Sequence, residues 1–140
     1  MNEYFIPYEL AVKLKGKGFD KPCFGWYYPA EVCGFDYKTT IVFNTSEYRG
    51  CNYKDMLISH NDDKHIDAPT ISQVLKWLRE EKELYIEIYM YHNCYLWEIY
   101  NTKIYDADFT QKSEKYSEIE YETYEQAALA GIEYVLDNLI

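Results

Sequence analysis

The 140-residue chain predicts an α+β fold: a mostly antiparallel sheet of four or five strands with three helices packed largely on one face. Two amphipathic runs each open on a capping box, the signature of a helix start. Between them lies a strictly alternating segment broken by two residues, the signature of a β-hairpin. Shorter β-type runs precede the first capping box. At this length one domain, 1–140, is expected, with a variable and loop-rich segment at 29–66.

The first helix is expected over 7–17. Pro7 suits a first turn, Leu10, Ala11 and Leu14 form a stripe, and Gly18 is the better candidate to end it. Lys13, Lys15 and Lys17 sit where the helix dipole favours cations. Lys15-Gly16-Lys17-Gly18 lacks the strand, glycine loop and helix order of a phosphate-binding loop, so a solvated helix end is the reading.

Cys23-Phe24-Gly25-Trp26-Tyr27-Tyr28, stopped by Pro29, reads as a strand, and Tyr37 to Phe43 as a second. From Asn44 to Asp67 the signal fails. Either Met56–Ser59 is a further strand, or this stretch is a functional loop.

The second helix is expected over 70–81, with Thr70 as N-cap and Gln73 reaching back. Ile71, Val74, Leu75 and Leu78 make its stripe with Trp77 at the edge, and Arg79-Glu80-Glu81-Lys82 faces water. Leu84 to Tyr91 then alternates, and after His92-Asn93 the alternation resumes from Cys94 to Tyr100. A two-residue turn there pairs Tyr91 with Cys94 and fixes every other pair. Met90/Tyr95, Ile88/Trp97 and Ile86/Ile99 fall on a core face, whereas Tyr91/Cys94, Tyr89/Leu96, Glu87/Glu98 and Tyr85/Tyr100 fall on the other.

Tyr116 to Tyr121 alternates weakly and reads as a third strand. The last helix, 124–138, has Thr123 and Gln126 as its capping box. Its stripe is Ala127, Ala128, Gly131, Ile132, Val135, Leu136 and Leu139, small enough to lie close against a sheet.

The 48% apolar content excludes disorder, and no apolar run approaches the roughly 20 residues of a membrane span. The opening residues lack a basic segment followed by an apolar one, so the cytoplasm is expected. Cys23, Cys33, Cys51 and Cys94 show no Cys-x-x-Cys spacing and read as reduced, buried thiols. The net charge of −10 is uneven. Residues 1–68 hold 8 basic and 10 acidic side chains, while 69–140 hold 6 and 14. Such a surface repels phosphate backbones, so no direct nucleic-acid binding is expected.

Phe5-Ile6-Pro7-Tyr8-Glu9-Leu10-Ala11, Gly18-Phe19-Asp20 and Cys23-Phe24-Gly25-Trp26-Tyr27 resemble the opening of an uncharacterised family of small proteins. That family occurs in Bacteroides-type gut bacteria and their phages or mobile elements. Ala68-Pro69-Thr70, Trp77-Leu78-Arg79-Glu80 and Tyr124-Glu125-Gln126-Ala127-Ala128 resemble the rest of its pattern. The resemblance covers residues 4–28 and 67–140, and implies a bacterial or phage origin with no catalytic residue or ligand to transfer.

His60, Asp62, Asp63 and His65, with Asp67, form the densest cluster of ligating groups. Their spacing matches no metal motif and Lys64 intrudes, so a solvated loop is the reading, and a metal-dependent hydrolase on 60–67 the alternative. Asp106-Ala107-Asp108 fails as a calcium loop, which needs glycine where Gln111 stands and glutamate where Ser117 stands. No catalytic residues and no cofactor are assigned, and the chain leans away from an enzyme. Seventeen tyrosines exceed what the core requires. Tyr85, Glu87, Tyr89, Tyr91, Leu96 and Tyr100 form the expected interaction surface, for a protein partner or homodimer. An acidic phage or mobile-element inhibitor of a host nucleic-acid enzyme is a further alternative.

Overall fold

The computed structural model describes residues 2–27, 40–43, 65–105 and 111–140. His60, Asp62, Asp63, Met56–Ser59, Cys33, Cys51 and Asp106–Asp108 lie outside the described residues. The fold class is α+β. The chain forms two compact units, 1–70 and 71–140, and the described strands fall into two antiparallel three-stranded sheets. One sheet of four or five was expected; strand period identifies strands but carries no information about which sheet each joins.

In the first unit a 3-10 turn over Asn2–Tyr4 leads to α1, Tyr8–Gly16. Pro7 caps it with an extended backbone, and its carbonyl accepts from Ala11 N–H at 2.9 Å. The helix ends in a Schellman motif: Phe19 N–H donates to Leu14 O and Gly18 N–H to Lys15 O, at 3.0 and 3.1 Å. Gly18 adopts φ 86°, a conformation that disfavours any side chain.

Strands β1 (Gly25–Tyr27), β2 (Ile41–Phe43) and β3 (Ile66–Asp67) pair in the order β2-β1-β3. Gly25 is required by this pairing, because a Cβ there would stand 2.7 Å from Val42 O. Tyr27, buried, donates its hydroxyl hydrogen bond to Ile6 O, and Tyr8 meets its ring edge to face. Ile6 N–H in turn donates to Pro69 O at 2.9 Å.

In the second unit α2 (Ile71–Glu81) precedes the meander β4 (Leu84–Tyr91), β5 (Cys94–Tyr105) and β6 (Gln111–Tyr116), and α3 (Tyr124–Asn138) closes it. Helices α2 and α3 lie against β4 and against each other, and α3 also contacts β5. Trp77 was expected at the edge of the α2 stripe but is fully buried, while Leu75 is only half-buried. The indole Nε1 donates to Glu81 Oε2 at 3.1 Å, one helical turn on, so the ring can enter the core without stranding its N–H.

Thr123 caps α3, its Oγ1 accepting from Gln126 N–H at 3.2 Å, and Gln126 Oε1 accepts from Glu122 N–H. The reciprocal bond thus lands one residue before the cap. Leu139, expected in the buried stripe, is the C-cap and is exposed. The third strand also falls elsewhere than expected. It spans Gln111–Tyr116, not 116–121, because a charged edge strand has no buried face to impose alternation. Ser117 closes the pairing, exchanging backbone and hydroxyl hydrogen bonds with Trp97, and Tyr121 bridges Tyr95.

Candidate functional site

The hairpin holds the expected register throughout. Tyr85 faces Tyr100, Glu87 faces Glu98, Tyr89 faces Leu96 and Tyr91 faces Cys94. His92 and Asn93 have φ 47° and 68°, the left-handed pair of a type I′ turn whose twist matches the strands it joins. Because side chains alternate along a strand, this turn alone puts Ile86, Ile88, Trp97 and Ile99 on one face and Tyr85, Tyr89, Tyr91 and Tyr100 on the other. The aliphatic face receives α3, with Gly131 against Ile86 and Trp97.

On the tyrosine face Tyr91 is 53% and Tyr85 38% exposed, and Glu87 is exposed. Tyr89, Leu96 and Tyr100 are half-buried. The face is wider than the hairpin suggested. Tyr116 of β6 stands opposite Glu98 and is 60% exposed, so Glu87, Glu98 and Tyr116 form one row across three strands. Residue 116 was read as the start of a strand, and only the β5–β6 register brings it here.

Two carboxylates at the centre give this face its electrostatics. Tyr100 loses solvent and hydrogen-bonds the Glu98 carboxylate, which keeps its phenol protonated well above the usual range. Tyr89 is pushed up as well, by partial burial and then by Glu98 and Glu87. Both phenols are therefore hydrogen-bond donors across the physiological range. At the turn end, burial and a hydrogen bond to Glu120 raise the Cys94 thiol.

The other ligating groups are dispersed. His65 meets the Trp26 ring edge to face at 4.9 Å, and its carbonyl accepts from Lys15 Nζ at 2.7 Å. No group of three or more metal-ligating side chains occurs among the described residues. Cys23 and Cys94 carry reduced thiols. Burial, then the Asp67 carboxylate, pushes Cys23 up to about 12, the reverse of what a nucleophilic thiolate needs. Among the described residues no helix is long and apolar enough to cross a membrane. No family model, no curated protein and no solved structure matches this chain.

Proposed function

We propose that this chain is a non-catalytic protein–protein interaction module that self-associates through the tyrosine face of the β4–β5 hairpin. The observation that carries this reading is the exposure of that face: of Tyr85, Glu87, Tyr89, Tyr91, Leu96 and Tyr100, none is buried. Tyrosine offers large contact area at small entropic cost, with a polar tip that tolerates water before the partner arrives. Tyr116 extends the patch across the sheet, beyond the isolated apolar residues any surface carries.

The test is sedimentation equilibrium of the wild type beside a Tyr89→Ser, Tyr91→Ser double variant. Self-association in the wild type, weakened in the variant, is the expected pair of results. A wild type of monomer mass throughout removes the reading.

The acidity of residues 69–140 favours a second reading, an inhibitor that occupies the basic groove of a nucleic-acid enzyme. Salt separates the two. Added salt weakens an acidic protein's hold on a basic groove, but strengthens association between two copies of like charge.

A further inference from the structure

The β4–β5 ladder decides which backbone groups of β4 point away from the sheet. Glu83 O accepts from Thr102 N–H at 2.8 Å, so the odd positions from Glu83 to Tyr91 exchange bonds with β5. The N–H and C=O groups of Leu84, Ile86, Ile88 and Met90 then point outward. Among the described residues no strand pairs with that edge.

Soluble proteins blunt such an edge with lysine, proline or a bulge. The outer strand at the sheet's other side does so, with Glu114 and Lys115 and an irregular register to β5. Leu84–Tyr91 carries one charge, Glu87, and an unbroken register. Along this edge runs a groove of about 250 Å³ lined by Leu75, Arg79 and Tyr124 and by Tyr85 to Ile88 of the strand itself. Since a water occupies roughly 30 Å³, the groove has room for a side chain. Met90, on the same face as Ile86 and Ile88, is 66% exposed.

We propose that β4 pairs antiparallel with β4 of a second copy about a two-fold axis at Ile88. This deepens the self-association reading, on which it rests, by naming the edge that joins the copies. A two-fold pairing must be self-complementary, and charge chooses its register. An axis at Glu87 would set that carboxylate against its own counterpart, an unfavourable cross-strand pair. An axis at Ile88 sets Glu87 beside the partner's Tyr89, a hydroxyl donor, and Tyr85 beside the partner's Tyr91. On the aliphatic face Ile88 meets its counterpart, and Ile86 meets the partner's Met90. Met90 is thereby delivered to the groove that begins beside Ile86. The outward groups of Ile86, Ile88 and Met90 all find partners, and the tyrosine faces meet across the seam, with Tyr85 and Glu87 of one copy beside Tyr91 and Tyr89 of the other.

Backbone amide hydrogen exchange on the full chain, read residue by residue at low and high concentration beside the solution mass, tests this. Tyr85, Glu87 and Tyr89 amides are held by β5 and should be protected at both concentrations. Ile86, Ile88 and Met90 amides should exchange freely when dilute and slow on the order of tenfold or more as the dimer forms. A dimeric mass with those three amides still unprotected overturns the edge pairing and leaves self-association standing. A monomeric mass at every concentration overturns both. Met90→Lys adds an independent arm, since its side chain is too exposed for the change to endanger folding. It should weaken dimerisation at least tenfold, and an unaltered dimer counts against the edge.

Discussion

Glu87 stands directly opposite Glu98 on the tyrosine side of the β4–β5 hairpin, two like charges at adjacent positions of one ladder. Each repels the other, but only Glu98 also accepts the Tyr100 hydroxyl. Glu87→Gln should therefore raise stability by about 0.5 kcal/mol, and Glu98→Gln by less. Urea denaturation at low and high salt checks both, because screening should shrink the Glu87→Gln gain.

Alkaline pH should destabilise the first unit. Burial, then the Glu9 carboxylate, raises Tyr27 from 10.0 to about 12, and Cys23 rises from 9.0 to about 12. In each case the folded state holds the proton more tightly than the unfolded chain does. The stability this supplies is whole below pH 9 and is lost as pH rises to 12. Cys23→Ala should flatten the decline between pH 9 and 10, as followed by circular dichroism.

His92 opens the type I′ turn at φ 47° without the benefit of a glycine. A left-handed residue costs an ordinary side chain about 1–2 kcal/mol, partly recovered here by the Tyr91 ring, 4.3 Å from the imidazole. His92→Gly should stabilise the hairpin by up to about 1 kcal/mol. Thermal melting measures it.

Gly131 sets how closely α3 approaches the sheet, since a Cβ there would lie 3.0 Å from Ile86 Cγ2 and 3.3 Å from Trp97 Cγ. Glycine sacrifices about 1 kcal/mol of helix propensity for that approach. Gly131→Leu should destabilise by about 1–3 kcal/mol through overpacking. In a double-mutant cycle, Ile86→Ala should cost less beside Gly131→Ala than alone, because the new methyl enters the space the isoleucine leaves.

Trp97 is 5% exposed, and its Nε1 has no hydrogen-bond partner among the described residues. A buried, unpaired donor costs about 1–3 kcal/mol. Trp97→Phe should consequently lose less stability than its reduced area implies, as equilibrium denaturation would reveal.

The elements legible in the sequence are those with a period and a stop. Gly18, Thr123 and the pair His92-Asn93 each end or start an element by backbone geometry, and each stands where its chemistry placed it. With the turn fixed, every cross-strand pair from Tyr85/Tyr100 to Tyr91/Cys94 followed. What stayed hidden lacked local cause. Ile66–Asp67 is a strand only because β1 lies beside it. Gln111–Tyr116 is polar on both faces, so Tyr116 joined the tyrosine surface unannounced. Leu75 and Met90 followed the apolar pattern of their elements, yet packing left one at a groove and the other in solvent. A residue's period tells which way it points, and only its neighbours decide whether anything covers it.

Light scattering of the wild-type chain across a concentration series, at low and high salt, is the most direct measurement of self-association. A mass rising from 16.8 kDa toward twice that value, at lower protein concentration when salt is added, is the expected result. A constant 16.8 kDa at every concentration and salt would contradict it.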